Sequence, residues 1–269
     1  MDNVVIEESK LAGHYDSVSN VQFQLGCMLI ERMRIREGGA VLDVGCGTGR
    51  LALYLSKIVK SSGNVVGIDP SIHRIDIANN KLKNRMLQNV CFKVGSAETL
   101  KSFPESAFDD ACYSSVFHWI NDKKAVLKET YRVLNKGGKI GITTINRDNL
   151  HSFRAVMIEV LGKPPYAEYA KKGEGRSYPA TMKELETLLA KVGFCEITVD
   201  CLIKKRHYDS PQKLIDFYEA SSFGNFMRSV PKDLQANARC DIKKELERRR
   251  TPSGIELTSN IIFATAKKM

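Results

Sequence analysis

The chain has 269 residues, is 43% hydrophobic and carries a formal net charge of +10. That length and apolar content suit one large domain with a cap and exclude a disordered or low-complexity chain, and no apolar run is long enough to span a bilayer. The charge favours anionic partners at long range: an acidic small molecule, an acidic carrier protein, nucleic acid or a membrane surface, with a solvated basic surface as the plain alternative.

Seven cysteines (Cys27, Cys46, Cys91, Cys112, Cys195, Cys201 and Cys240) are scattered and odd in number, and no two are spaced C-x-x-C. This spacing points to reduced thiols in a cytoplasmic protein rather than a disulfide framework, and no metal site is expected. The opening Met1-Asp2-Asn3, with Glu7 and Glu8, has none of the pattern of a secretory leader.

Along the chain, Val18, Val21, Leu25, Met28, Leu29 and Met33 have helical spacing, and Gly38-Gly39 closes that segment. Ala40–Val44 reads as a buried strand, Gly45–Gly49 as a glycine turn, and Leu51–Leu55 as the opening of a helix. Asn64–Ile68 is a second strand ending at Asp69-Pro70, followed by a polar helix from Ser71 to about Leu87. Val90–Val94 and Phe108–Ser114 are the third and fourth strands. Lys123–Leu134 is an amphipathic helix, Asn135–Gly138 a tight turn, and Lys139–Thr144 the fifth strand. Residues 146–180, with Pro164-Pro165, Gly173 and Gly175, read as a loop-rich insertion. Thr181-Met182-Lys183-Glu184 has capping-box spacing, and Gly193 is placed to end the helix it starts. Phe194–Ile203 is a sixth strand. Ser210-Pro211 and Pro231 start two further helices, the second ending in Arg248-Arg249-Arg250, and Asn260–Ala266 is the last strand. The alternation predicts an α/β, Rossmann-like, doubly wound sheet of seven mostly parallel strands, the last antiparallel, with helical lid insertions. The expected organisation is a single domain over 1–269, with an N-terminal helical cap at about 1–37, a core at about 38–145, and lids at about 146–180 and 205–252.

The glycine loop carries the chemistry. Strand, glycine turn and helix bring backbone N–H groups close to a ligand, and the glycines leave room for it. A dinucleotide fingerprint would place a third glycine where Arg50 stands. Asp43, two residues before the loop, would repel a pyrophosphate but could reach a ligand ammonium through water. Asp69, about twenty residues on, sits where ribose hydroxyls are accepted; its alternative is a turn aspartate before Pro70.

Val41-Leu42-Asp43-Val44-Gly45-Cys46-Gly47-Thr48-Gly49 resembles the first motif of class I S-adenosylmethionine-dependent methyltransferases. Val66-Gly67-Ile68-Asp69 resembles their second motif. Gly95-Ser96-Ala97-Glu98 is similar to the third, with serine where aspartate is usual. Phe108-Asp109-Asp110, Trp119 and the stretch from Leu127 to Gly138 match the fourth strand, the next helix and its turn. Tyr15-Asp16, Gln22 and Phe117-His118-Trp119 look most like the subgroup that includes malonyl-carrier-protein, trans-aconitate and ubiquinone-pathway methyltransferases. The resemblance implies S-adenosylmethionine as cofactor. Gly45, Cys46, Gly47 and Gly49, with Asp43, would line its methionine and ribose parts, and Asp69 and Pro70 the ribose. Ile72 would cover an adenine face, Ser96, Ala97 and Glu98 the adenine edge, and Ser114 and Ser115 the sulfonium. Tyr15 would close the front.

An activated methyl requires an aligned nucleophile and excluded water; a hydroxyl or amine acceptor also needs a base of near-neutral pKa. His118 is the candidate base, its alternative being a structural histidine. Trp119, Tyr166, Tyr178, Arg176 and Arg206 are candidate acceptor contacts, the arginines as carboxylate forks or as solvated surface. The expected acceptor is a small acidic or polar molecule, with an acidic carrier protein as a further partner. Two rival readings are a nucleic-acid methyltransferase and a non-catalytic cofactor-binding protein. Ser114-Ser115-Val116-Phe117 replaces the Asn/Asp-Pro-Pro-Tyr of amino-nitrogen enzymes and argues against the first. The intact loop and Asp69 argue against the second.

Overall fold

The computed structural model describes residues 9–83, 85, 87–170, 177–222, 227 and 229–269. Two helices open it, α1 (Ser9–Val18) and α2 (Asn20–Met33). Then come β1 (Ala40–Val44), α3 (Arg50–Val59), β2 (Asn64–Asp69), α4 (Ile72–Lys83), β3 (Val90–Val94), β4 (Phe108–Ser114), α5 (Lys123–Val133) and β5 (Leu134–Ile145). The second half holds α6 (Ser152–Leu161), α7 (Ala167–Ala170), α8 (Met182–Val192), β6 (Phe194–Tyr208), α9 (Pro211–Ser221), α10 (Lys232–Arg248) and β7 (Ile255–Lys268).

The strands form one sheet in the order β3-β2-β1-β4-β5-β7-β6. β1 to β5 run parallel, and β7 lies antiparallel between β5 and β6. The chain steps outward from β1 to β3, then returns to β4 on the other side. The strand order therefore reverses beside β1, and open sheets of this type bind ligands in the crevice beyond the strand ends at that point.

Strands covered on both faces must be apolar on both. Val41, Leu42 and Val44 are fully buried, and Asp43 is buried among them. One face packs α5 and α8 through Leu127, Leu185 and Leu189. The other packs α2 and α3 through Leu29, Met33, Leu53 and Leu55. Gly141 lets α2 approach β5: a Cβ there would lie 2.2 Å from the Met33 sulfur. A third cluster joins α6, α9 and α10 to the start of β7 through Phe153, Val156, Leu214, Ile242, Leu246 and Leu257, and forms the cap.

Several boundaries differ from the sequence reading. The region 146–180 contains the ten-residue helix α6, because Phe153, Val156, Met157, Val160 and Leu161 repeat at helical spacing and bury one stripe in the cap. Residues 205–208, expected in a lid, continue β6, and β7 begins at Ile255, because the two strands pair with each other well past the rest of the sheet. Asn135–Gly138, expected as a turn, lie inside β5, which begins at Leu134, expected as the end of the preceding helix. Leu134 pairs with Phe108 and the register shifts before Asp110, with Gly137 at φ +80°. The expected polar helix ends at Lys83 rather than Leu87. The capping box is present: Thr181 Oγ1 accepts from Glu184 N at 3.0 Å and Glu184 Oε2 accepts from Thr181 N at 2.9 Å.

Candidate active site

The loop after β1 is held open by backbone geometry that favours glycine. Gly45, Gly47 and Gly49 have φ of +73°, +55° and +79°. A Cβ on Gly45 would lie 2.5 Å from Val116, and one on Gly49 2.6 Å from Phe92. Gly45 N and Cys46 N donate to Ile68 O at 2.8 and 3.0 Å. The Asp69 carboxylate accepts from Gly47 N and from Ser71 N, each at 2.9 Å, so it ties the loop to the end of β2. Arg50 leaves the loop free. Its guanidinium donates to Ser19 Oγ and Asn20 Oδ1 and stacks over Phe23 at 4.8 Å, on the outer side of α3.

Asp43 is 1% exposed, and its Oδ2 has no hydrogen-bond partner. Burial, with the Asp69 carboxylate adding to it, pushes its pKa up to about 7. An unpaired buried carboxyl oxygen is costly and suits a nearby cation. Tyr15 lies over the loop, 3.3 Å from where a Gly47 Cβ would be, and the Arg74 guanidinium stacks on its ring at 3.9 Å. Asp16 accepts from Thr48 Oγ1 and Lys81 Nζ, both at 2.5 Å, and fixes α1 against the loop and α4.

A cavity of about 580 Å³ opens from this loop. Gly45, Asp69, Ser114 and Ser115 line one part of it, and Tyr15 and Gln22 another. His118, Trp119 and Arg206 also line it. Ser115 takes φ +58°, rare for a residue with a Cβ, and its N–H donates to Thr143 Oγ1 at 2.8 Å. His118 is 7% exposed with its Nδ1 unpartnered. Burial, with His151, Lys123 and Arg154 around it, pushes its pKa down to about 3. Burial thus disfavours the charged imidazole, against the near-neutral pKa expected of a base at this position.

Other expected residues fall elsewhere. Cys46 contributes backbone, but its thiol packs in the core beneath Gly67. Pro70, Ile72, Ser96, Ala97 and Glu98 stand beyond β2 and β3, outside the cavity lining, and Ile72 is 57% exposed. Tyr166 is buried in the cap and donates to Asp241 Oδ2 at 2.8 Å. Tyr178 sits behind His118, its N–H donating to the His118 carbonyl at 2.5 Å. Arg176 lies outside the described residues. The sequence reading did not single out His151, Arg154, Phe217 and Tyr218, all of which line the cavity. For His151 and Arg154 a signal was present: the helical spacing after residue 152 places them at the N-cap and in the first turn of α6.

A doubly wound sheet with a glycine loop and an acid capping the neighbouring strand defines a nucleoside-cofactor enzyme, and the comparisons say which kind. The model of the methyltransferase domain family matches residues 35–201. The chain belongs to the class I S-adenosylmethionine-dependent methyltransferases, with S-adenosylmethionine as cofactor. It is 31% identical over 206 residues to a demethylmenaquinone methyltransferase of Anoxybacillus flavithermus, covering 71% of this chain and 86% of that one. A Geobacillus protein of the same name is equally similar, with coverage of 71% and 87%. Among solved structures, the YcgJ protein of Bacillus subtilis shares the fold at a TM-score of 0.64 and 19% identity, over 91% of this chain and 98% of that one. Phosphoethanolamine N-methyltransferase 2 of Haemonchus contortus, solved with S-adenosyl-L-methionine, gives a TM-score of 0.63 at 18% identity, over 97% of this chain and 58% of that one.

Proposed function

We propose that this enzyme methylates a small polar or acidic molecule in the cavity between the glycine loop and the cap, in the cytoplasm. The observation that carries the reading is the joining of the two ends in one space: Gly45 and Asp69 share a cavity with His118, Trp119 and Arg206. Relatives named for demethylmenaquinone support a small-molecule acceptor over a nucleic acid. The odd number and scattered spacing of the seven cysteines support a reducing compartment.

The cofactor supplies an activated methyl group on a sulfonium. The chain has to bind it, orient the acceptor and exclude water. The Asp69 carboxylate, held at the end of β2 by Gly47 N and Ser71 N, lines the cavity where it would accept from the ribose hydroxyls. Asp43 offers its unpartnered oxygen to the cofactor's ammonium, directly or through water. Ser114 and Ser115 would border the methyl-bearing end, and Tyr15 would cover the bound cofactor. The exposed Ile72 and the Ser96–Glu98 stretch would flank the adenine end. His118 accepts a hydrogen bond at Nδ1 from an acceptor hydroxyl and so aims its lone pair. With a pKa of about 3 it does not keep the proton, which leaves to water. The residues 9–33 and the cap of α6, α9 and α10 then act as covers on a single domain.

Two measurements test this. Calorimetry should show uptake of S-adenosylhomocysteine by the purified chain, weakened at least tenfold by Asp69→Ala. A radiolabelled-methyl screen of small acids, phenols and quinols should label at least one, and Trp119→Ala should lower that labelling. No uptake of S-adenosylhomocysteine, or labelling of tRNA alone, would reject the proposal.

A further inference from the structure

The cap-side wall of the cavity carries positive charge with too few partners. Arg206 lines it, and its Nε and Nη1 are buried with no hydrogen-bond partner, while Nη2 reaches Ser259 Oγ at 3.3 Å. Of the five N–H groups of a guanidinium, three are thus buried and unspent. The rings of Phe217 and Tyr208, at 5.2 and 6.0 Å, hold the fork in place. Arg154 lines the same wall, with Nη1 donating to Ser177 Oγ at 2.6 Å. Among the described residues lining the cavity, the sole carboxylate is Asp69, engaged at the glycine loop. A buried guanidinium left without a counter-ion is expensive, and a ligand oxyanion repays it with paired, charge-assisted hydrogen bonds.

The strand register says where this charge lies. Ser114 stands level with Thr143, Phe263 and, on β6, Asp200. Arg206 is six residues further along β6, roughly 20 Å of strand at about 3.4 Å per residue. It also lies beyond Ile145, the end of β5, whose row on β6 is Leu202. The cavity lining also includes the apolar Leu25, Val116, Met157, Ile158 and Ile261.

We infer that Arg206 and Arg154 form an anion subsite remote from the methyl-transfer point, and that the acceptor is an elongated amphiphile gripped there by an oxyanion and methylated at its other end. This rests on the proposed function for where the methyl group arrives. The charged group is a handle for binding. The apolar walls take the body, and the unpartnered Nδ1 of His118 meets a polar atom of the acceptor.

The chain's single tryptophan, Trp119, lines the cavity and reports occupancy by its fluorescence. Decanoate, monodecyl phosphate and decanamide would be titrated into the protein at pH 7.5, with and without saturating S-adenosylhomocysteine. At least one of the two anions is expected to bind tenfold or more tightly than the amide, and which one does identifies the handle as carboxylate or phosphate. Arg206→Gln should remove that preference while leaving the amide affinity and the S-adenosylhomocysteine affinity unchanged, which also shows that the variant is folded. Arg154→Gln should reduce the preference, and Arg206→Lys should retain part of it. Equal binding of anions and amide by the wild-type protein would overturn the inference without recourse to any variant, as would an undiminished preference in Arg206→Gln. Failure to bind S-adenosylhomocysteine would instead strike the cofactor reading, and the anion preference is measurable without it.

Discussion

Asp43 couples the cofactor to pH. In the folded chain its pKa is about 7, against 3.8 for the free side chain, because burial penalises its charged form. The folded state thus binds the proton more tightly. This carboxyl's contribution to stability is full below about pH 4 and falls as pH rises towards 7. Asp43→Asn should therefore raise the melting temperature of the unliganded protein at pH 8 while weakening S-adenosylhomocysteine at least tenfold. A ligand ammonium beside Asp43 draws its pKa down, so binding near pH 6.5 should release a proton. Calorimetry in buffers of different ionisation enthalpy would show that release, and Asp43→Asn should abolish it. At this scale the sequence was informative where backbone geometry dictates residue type: the three glycines, Asp43 and Asp69 stand together as their spacing implies. It was silent on His118's surroundings, because its burial and its neighbours His151, Lys123 and Arg154 come from segments that meet only in the fold.

Elements carry their own tests. Gly45→Ala would place a Cβ 2.5 Å from Val116 at a φ of +73°, and it should cost cofactor affinity more than overall stability. A melting curve beside a binding isotherm separates the two effects. Leu246→Ala on α10 removes a fully buried contact of the cap and should cost about 2–5 kcal/mol, read from denaturant unfolding. Thr181→Ala breaks the capping box of α8 and should cost about 1 kcal/mol. The parallel strands were legible because strands buried on both faces read as unbroken apolar runs. The cap was less so. Pro164-Pro165 and the glycines near 173 drew attention from the periodic stripe of α6, and nothing local marks β6 and β7 as running on to Tyr208 and from Ile255. Their length follows from pairing with each other across some fifty residues of sequence.

For the whole molecule, the net charge of +10 is less of a patch than its total suggests. Arg248, Arg249 and Arg250 each bond to glutamates on their own helix, Glu245 or Glu247, and Arg249 also meets Glu159. Such exposed pairs add little stability, but they blunt the basic stripe that a nucleic-acid partner would need. Two contacts between distant parts of the chain bridge helices beside the cavity. Gln22 Nε2 on α2 donates to Ser221 Oγ on α9 at 3.0 Å, and Arg74 Nη2 on α4 donates to the Ala220 carbonyl at 3.2 Å. The helices beside the glycine loop are thereby latched to the helix whose Phe217 backs Arg206. Whatever settles at one end of the cavity and tightens that latch lessens the ordering left for a guest at the other. The two guests should then be heterotropically linked: decanoate should strengthen S-adenosylhomocysteine binding by the same factor as S-adenosylhomocysteine strengthens decanoate, and Gln22→Ala should shrink both factors alike.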